Sequence, residues 1–198
     1  MWIKICGMND ESAVQAALAA GTDAIGFVFA PSVRRVTPQR ARELAAPARH
    51  RVTCVAVLLQ PSAKELDEML SVFDPDLVQL DHESLVDASV QTALRERRVL
   101  PVLREGRALP EKLPMRALFE GAKSGTGRTA DWDAARALAT RTELLLAGGL
   151  NPDNVAAAIR AVRPFGVDVS SGVESAPGIK SADKIFDFVR AARDAARE

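Results

Sequence analysis

The feature that most constrains the fold is a series of short apolar runs, most of them followed by a segment with helical spacing. Residues 24–29 and 54–59 are examples in which the run is continuously apolar rather than alternating between apolar and polar. Continuous runs of this kind are typical of parallel strands that are buried on both faces. We predict strands at residues 2–6, 23–29, 53–59, 77–80, 99–103, 116–120, 144–148 and 166–170.

The segments between the runs carry helix start signals. The predicted caps are Asn9, Thr37 with Pro38 after it, Asn151 with Pro152 after it, and Ser181. Asparagine, serine and threonine can accept a hydrogen bond from the first turn, and proline suits the first helical position. Residues 104–114 are too short and proline-rich for a full helix, so we predict a turn there.

Eight strand–helix units in 198 residues predict an α/β fold, a (β/α)8 TIM barrel in one compact domain spanning residues 1–198. The alternative is an open, doubly wound parallel sheet. That fold carries its phosphate-binding glycines after the first strand. Here the glycine turns follow the seventh and eighth strands, and this position favours the barrel.

The composition excludes several classes of protein. Lys plus Arg and Asp plus Glu are both 26, so no overall charge favours nucleic acid or an anionic membrane as a partner. The apolar runs are far shorter than the roughly 20 residues that span a bilayer. The N-terminus has no secretory signal pattern. Cys6 and Cys54, both in predicted strands, fit a reducing cytoplasm, and the few histidines argue against a metal site.

A barrel of this kind has its active site at the C-terminal ends of its strands. Cys6 ends the first strand, where Lys4 has the same side-chain parity. A free thiol has a pKa near 8.5, so a cysteine base or nucleophile requires a positive neighbour or a helix N-terminus. The alternative interpretation is a buried apolar cysteine, and that interpretation is preferred for Cys54.

Two acidic residues are further candidates at the mouth. Glu120 ends the sixth strand, where desolvation would suit a carboxyl group to donate a proton. Its alternative is a rim residue in a salt bridge. Asp168 lies near the end of the eighth strand and has two interpretations, substrate binding or pairing with an inward lysine such as Lys4.

The glycine turns after the last two strands predict a phosphate site. Glycine allows backbone N–H groups to approach an anion closely, and barrel phosphate sites use these two loops. The predicted phosphate-binding residues are Gly148, Gly149, Ser170, Ser171 and Gly172. Residues 124–128 are interpreted as a cover over the mouth. Arg34 and Arg35 lie in the second loop, where one of them could hold a substrate carboxylate.

These residues resemble the phosphoribosylanthranilate isomerase family of tryptophan biosynthesis over nearly the whole chain. The similarity is carried by Lys-Ile-Cys-Gly-Met-Asn at 4–9, residues 24–29, Ser-Val-Arg at 32–34, Val-Gln-Leu at 78–80, Gly-Thr-Gly at 125–127 with Asp-Trp at 131–132, Gly-Gly-Leu-Asn-Pro at 148–152, and Asp-Val-Ser-Ser-Gly-Val-Glu at 168–174.

The resemblance implies an Amadori rearrangement of N-(5-phosphoribosyl)anthranilate to 1-(2-carboxyphenylamino)-1-deoxyribulose 5-phosphate. It assigns Cys6 as the general base and Glu120, at the family's aspartate position, as the general acid. It also assigns Arg34 to the anthranilate end of the substrate and the two glycine turns to its phosphate. The chemistry requires no metal and no organic cofactor, and the protein is expected to be a monomer or a homodimer.

The chain departs from the family pattern at two positions. Glu120 adds a methylene relative to aspartate, and Asp81 with His82 stands where the family often has His-Gly. Two other functions stay open from sequence alone. One is another sugar-phosphate isomerase, whose relatives generally carry an aspartate at the position of Cys6. The other is a non-catalytic barrel that binds a phosphorylated ligand.

Overall fold

The computed structural model describes residues 1–122 and 129–198 and contains a closed barrel of parallel strands. The barrel strands are β1 (Trp2–Cys6), β2 (Ala24–Val28), β3 (Thr53–Val57), β4 (Leu77–Asp81), β5 (Val99–Arg104), β6 (Arg116–Glu120), β7 (Glu143–Leu146) and β8 (Gly166–Val169). Each strand pairs with the next, and β8 pairs with β1 to close the barrel. The predicted (β/α)8 barrel is confirmed.

Helices cover the outside of the barrel. They are α1 (Glu11–Ala20), α2 (Pro38–Ala45), α3 (Ala63–Val72), α4 (Ala88–Leu94), α5 (Trp132–Ala139), α6 (Val155–Val162) and α7 (Ala182–Ala195). A turn connects β5 to β6, as predicted for residues 104–114. A short 3-10 helix and the hairpin β9 (Glu174–Ala176) and β10 (Ile179–Lys180) separate β8 from α7, and the sequence patterns did not predict this hairpin.

Two of the four predicted helix caps are confirmed and two are wrong. The side chains of Thr37 and Ser181 each accept a hydrogen bond from the first turn of their helices. The cap of α1 is Asp10 instead of Asn9, because the carboxylate of Asp10 accepts from the first turn. The Asn9 amide instead donates to the backbone oxygen of Gly178, at 2.8 Å, and so joins the first loop to the C-terminal hairpin.

The predicted helix start at Asn151 is also wrong. The side-chain oxygen of Asn151 accepts from the backbone N–H groups of Asp153 and Asn154, at 2.9 and 3.0 Å. These bonds hold the segment as a turn, because an asparagine side chain can bond its own backbone two residues on. Helix α6 therefore begins at Val155.

The core has an outer layer between strands and helices and an inner layer inside the barrel. Ile3 and Ile5 of β1 belong to the outer cluster, whereas Val55, Leu118 and Leu145 belong to the inner one. Side chains alternate along each strand, so inward positions recur at every second residue. At the C-terminal ends of the strands these inward positions carry polar groups, and the functional cleft is built from them.

Candidate active site

A cleft of about 560 Å³ lies at the C-terminal ends of the barrel strands. The reactive and charged side chains that line it include Cys6, Arg34, Asp81, Arg104, Glu120 and Asp168. A larger groove of about 860 Å³ lies beside it and is lined by residues of α2, α3 and the loops before them. Because the titratable side chains at the strand ends converge in the smaller cleft, we take it as the candidate active site.

Cys6 is the last residue of β1 and is nearly buried, with 7% of its surface exposed. Burial raises the pKa of its thiol above the ordinary value, although the positive charges of Lys4 and Lys180 act in the opposite direction. Gly26 lies opposite Cys6 in the register of β2. A Cβ at Gly26 would lie 3.0 Å from the Cys6 sulfur, so this glycine leaves the space that the thiol occupies.

Lys4 forms a buried ion pair with Asp168. The Lys4 Nζ atom lies 2.8 Å from Asp168 Oδ1, and the lysine side chain is fully buried. Burial acts to lower the pKa of Lys4, but attraction to Asp168 and Cys6 outweighs it and raises the pKa overall. The ammonium group therefore stays charged beside the thiol, and the predicted pairing of Asp168 with Lys4 is confirmed.

A second charged group joins three neighbouring strands. Arg104, the last residue of β5, contacts Asp81 of β4 through Nη2 at 2.7 Å and Glu120 of β6 through Nη1 at 2.8 Å. Burial acts to lower the pKa of the Arg104 guanidinium, but hydrogen bonds and attraction to the two carboxylates raise it overall. Glu120 is thus both a cleft residue and an ion-pair partner.

The third charged group is built around Glu174, the first residue of β9. Arg34 donates to both of its carboxylate oxygens, at 2.6 and 2.8 Å, and Lys180 lies 2.8 Å from Oε1. Burial acts to raise the pKa of Glu174, but the bonds from Arg34 and Lys180 outweigh it and lower the pKa to about 2. Burial lowers the pKa of Lys180. Glu174 thereby fixes Arg34 at the rim of the cleft.

We predict that replacing Glu174 by glutamine destabilises the protein at pH 7 by about 3 kcal/mol, because the pKa of this carboxyl group is lowered from 4.5 to about 2 in the folded protein. A carboxyl group with a lowered folded-state pKa stabilises the fold above its unfolded-state pKa. The wild type therefore loses this stabilisation as the pH falls from about 4.5 to about 2. Urea denaturation at several pH values measures the difference between the two proteins.

The matched control is Glu68→Gln, on the exposed face of α3, where the ion pair with Lys64 is surface-exposed at 3.8 Å. Exposed pairs of this kind contribute about 0–1 kcal/mol. A difference between Glu174→Gln and the wild type that stayed constant from pH 7 to pH 2.5 would contradict the assigned role of the Glu174 charge.

The loops after β7 and β8 lie against each other, as the predicted phosphate site requires. Gly148 and Gly149 have φ angles of +88° and +65°, which favour glycine. A Cβ at Gly172 would lie only 1.9 Å from the backbone oxygen of Leu150, so this position has no space for any side chain. The structure therefore brings the two glycine turns into contact. Of the five predicted phosphate-binding residues, Ser170 lines the cleft, whereas the two glycines after β7, Ser171 and Gly172 are not part of its lining.

Ser170 and Ser171 connect this turn to the rest of the site. The Ser170 hydroxyl donates to the backbone oxygen of Cys6 at 3.0 Å, and Lys180 Nζ donates to the backbone oxygen of Ser170 at 3.0 Å. Ser171 begins the short 3-10 helix after β8. The predicted cover at residues 124–128 lies outside the described residues.

Three functional residues were missed from the sequence. Arg104 was assigned to the loop after the fifth strand, although its inward parity with Val102 and its place at a strand end would have identified it. Glu174 was part of a recognised motif but was given no role. Lys180 lies in the unpredicted hairpin, and no local sequence pattern placed it against Glu174.

The described residues contain no group of three or more His, Cys, Asp or Glu side chains arranged to hold a metal ion. Within those same residues, no helix has the length and apolar character needed to cross a membrane. A closed parallel barrel with a thiol and carboxylates in one strand-end cleft, and with glycine turns after its last two strands, defines the class of TIM-barrel enzymes that act on small molecules.

Comparison with known proteins identifies the family within that class. Residues 3–191 match the family model of N-(5'-phosphoribosyl)anthranilate isomerase. The isomerase of Pelobacter propionicus is 38% identical, with 99% of this chain and 97% of that protein covered, and the isomerase of Methanoregula boonei is 40% identical, with 98% of each covered. The chain therefore belongs to the N-(5'-phosphoribosyl)anthranilate isomerase family and is an isomerase.

Solved structures agree with this assignment. The crystal structure of the isomerase from Thermotoga maritima has a TM-score of 0.84 and 30% identity, covering 98% of this chain and 99% of that one. A structure described as the isomerase in complex with reduced 1-(o-carboxyphenylamino)-1-deoxyribulose 5-phosphate has a TM-score of 0.81 and 29% identity, covering 98% and 99%. The resemblance to this family seen in the sequence motifs is confirmed.

Proposed function

We propose that this isomerase rearranges N-(5'-phosphoribosyl)anthranilate with Cys6 as the general base and Glu120 as the general acid. The observation that carries the proposal is that both side chains line the same cleft from the ends of different strands, β1 and β6. A substrate held between them would meet the acid and the base at different atoms. The reduced ligand in the related complex has the carbon skeleton expected of the rearranged product.

The reaction follows from two proton transfers. Glu120 gives its proton to the furanose ring oxygen, and the bond from that oxygen to C1 breaks to leave an iminium group. The Cys6 thiolate then removes the proton from C2, and the electron pair of that bond forms an enolamine. Tautomerisation of the enolamine gives the ketone. Positioned acids and bases of this kind contribute about 100- to 10,000-fold to a rate.

The surroundings of Cys6 suit a base that acts inside a dry cleft. Burial raises the pKa of the thiol, so the thiolate is scarce but strongly basic when it forms. Lys4 and Lys180 oppose the effect of burial through their positive charges, and the Lys4 ammonium is fixed by Asp168 at 2.8 Å. These two lysines therefore stabilise the thiolate that removes the C2 proton.

The remaining site residues bind the substrate in this proposal. Arg34, fixed by Glu174 at the rim, attracts the anthranilate carboxylate. The turns that contain Gly148, Gly149, Ser170, Ser171 and Gly172 hold the phosphate through backbone N–H groups. Asp168 lines the cleft beside Cys6 and accepts a hydrogen bond from a ribose hydroxyl.

The test is turnover of N-(5'-phosphoribosyl)anthranilate, followed by the loss of its fluorescence. The wild-type protein is expected to convert this substrate. Glu120→Gln is expected to lower kcat by about 100-fold or more, because a glutamine amide is not acidic enough to protonate the ring oxygen. The matched control is Glu143→Gln at the N-terminal end of β7. Glu143 also pairs with an arginine, Arg116 at 2.6 Å, but at the opposite end of the barrel, so kcat should be unchanged.

A wild-type protein that binds the reduced product analogue without turnover would contradict the proposed reaction and indicate a non-catalytic barrel. Normal turnover by Glu120→Gln would show that Glu120 is not the acid, while the proposed reaction would still stand.

Arg34→Gln should raise KM much more than it lowers kcat, because the proposed partner of Arg34 is the substrate carboxylate, which is distant from the reacting atoms.

The setting of the enzyme belongs to the same proposal. We place it in the cytoplasm as a single domain of residues 1–198, with a phosphorylated small molecule as its partner and no role for nucleic acid. Its equal numbers of basic and acidic residues and its two free cysteines support this placement. A related structure from Thermotoga maritima, at 32% identity, derives from a protein described as dimeric, which keeps both a monomer and a homodimer in consideration.

A further inference from the structure

Three neighbouring strands end in a linked set of charged side chains, Asp81 on β4, Arg104 on β5 and Glu120 on β6. Two nitrogens of Arg104 bind one oxygen of Asp81, Nε at 2.9 Å and Nη2 at 2.7 Å. The third nitrogen, Nη1, lies 2.8 Å from Glu120 Oε1. Arg104 is therefore held on one side by Asp81 and faces Glu120 on the other.

Because these side chains are buried, the charge of Arg104 must be balanced by a carboxylate. Only 1% of Asp81 and 6% of Arg104 is exposed. A guanidinium group at such a depth requires a counter-charge, because an uncompensated buried ion is strongly unfavourable. Two carboxylates contact the one guanidinium, so one of the two can take up a proton and Arg104 still keeps a counter-charge. Asp81 accepts two bonds from Arg104 and is more deeply buried than Glu120, so Asp81 is the carboxylate that keeps its negative charge.

We propose that Asp81 is a positioning residue that serves as the permanent counter-ion of Arg104 and thereby allows Glu120 to carry the catalytic proton. This inference rests on the proposed role of Glu120 as general acid. While Glu120 is protonated, Asp81 neutralises Arg104. When the proton leaves for the ring oxygen, Nη1 of Arg104 stabilises the carboxylate that forms. Asp81 thus acts through Arg104 and touches no reacting atom.

Other charged groups face Glu120 from the surrounding elements. Arg107 lines the cleft from the turn after β5, and Glu105 lies close to Gly121, where its Oε2 would be 3.8 Å from an added Cβ. Cys6 and Asp168 face the same cleft from β1 and β8. Among the described residues, Arg104 is the positive group in contact with Glu120 through a 2.8 Å ion pair, so changes at Asp81 reach Glu120 chiefly through it.

The test measures the titration of the Glu120 side chain directly. The full-length protein, free of ligand, is labelled with 13C at the glutamate carboxyl carbon, and the Glu120 resonance is assigned as the one lost in Glu120→Gln. In Asp81→Asn, Glu120 becomes the remaining carboxylate partner of Arg104 among the described residues, so its titration midpoint should fall by about 1 unit or more. In Arg104→Gln the cation is gone, and the midpoint should rise by about 1 unit or more.

The control is Asp187→Asn, which also removes an aspartate paired with an arginine, Arg190 at 2.6 Å, but on the exposed face of α7. It should leave the Glu120 midpoint unchanged. Asp81→Asn should also lower kcat at pH 7 by roughly tenfold, because one unit of midpoint removes about nine-tenths of the protonated acid. Restoring kcat by lowering the assay pH would support the inference, since a purely structural defect would not respond in this direction.

Opposite shifts in the two variants support the proposal. An unmoved midpoint in Asp81→Asn, or a shift upward, would overturn it, even if both variants lost thermal stability. Should Arg104→Gln not fold, Asp81→Asn alone decides, since it preserves side-chain volume and leaves Arg104 paired with Glu120. Absence of wild-type turnover would instead count against the proposed function, because the titration measures the ion-pair network without substrate.

Discussion

Replacing Cys6 by alanine is expected to lower kcat by about 1,000-fold or more, while the product analogue still binds. A general base contributes about 100- to 10,000-fold, and alanine has no group that accepts the C2 proton. Arg34 and the turns proposed to bind phosphate are separate from the Cys6 side chain and keep their contacts, so affinity should change little. Turnover by fluorescence loss and analogue binding by calorimetry measure the two effects separately.

Cys54→Ala is the matched control for this experiment. Cys54 is the other free cysteine, it is fully buried, and it lies in β3 away from the cleft. Burial raises the pKa of its thiol to about 11, so it is an inert apolar residue at neutral pH. Its replacement should leave kcat unchanged and cost stability through the small cavity. Loss of turnover in Cys54→Ala, or normal turnover in Cys6→Ala, would contradict the assignment of the base.

The Cys54→Ala protein also allows the Cys6 thiol to be titrated alone by thiolate absorbance near 240 nm. Because burial raises the pKa of Cys6, its thiolate should appear at a higher pH than that of an ordinary cysteine. A thiolate already formed at pH 7 would show that the two lysines outweigh burial, and the base would then be abundant but weak.

Replacing Gly172 by alanine is expected to destabilise the protein by more than about 4 kcal/mol or to abolish phosphate binding in whatever protein still folds. An added Cβ would lie 1.9 Å from the Leu150 oxygen and 2.9 Å from the Leu150 carbonyl carbon. Both are backbone atoms, so the clash cannot be relieved by a rotation of a side chain. The turn after β7 must move away from the turn after β8, and the two halves of the proposed phosphate site separate.

Gly106→Ala is the control that separates the steric clash at Gly172 from the general effect of replacing a glycine. Gly106 has a φ of +75°, but a Cβ there would meet nothing within 4 Å. Its replacement should cost about 1–2 kcal/mol from the left-handed backbone alone. Thermal denaturation and inorganic phosphate binding measure both variants. A Gly172→Ala protein as stable as Gly106→Ala, with unchanged phosphate affinity, would contradict the proposed contact between the two turns.

The barrel could be predicted from sequence because the strands are recognisable from their own short apolar runs. A run such as Cys54 to Val57 is apolar at every position, and this pattern does not depend on which strands become its neighbours. The strand-end rule then predicted Cys6, Glu120 and both glycine turns as site residues, and the structure places Cys6 and Glu120 in one cleft. The pairing of Asp168 with Lys4 was also predictable, since both have inward parity on strands that close the barrel.

The remaining features depend on contacts that no local pattern encodes. Asp10 rather than Asn9 caps α1 because the neighbouring loop offers Asn9 a partner at Gly178, which lies 169 positions away. Arg34 was expected to face substrate, but its bond to Glu174 depends on the short hairpin that brings Lys180 back to the same carboxylate. Hairpins of two or three residues per strand give too little pattern to be recognised.

The ion pair between Lys4 and Asp168 also has a consequence for synthesis on the ribosome. The two residues are 164 positions apart, so the lysine leaves the ribosome long before its carboxylate partner exists. A nascent chain that contains only the first strands cannot bury this ammonium group without an uncompensated charge. Lys4 should therefore stay hydrated until the eighth strand has been made. The ammonium group beside the Cys6 thiol thus becomes buried with its charge compensated only when β8 pairs with β1.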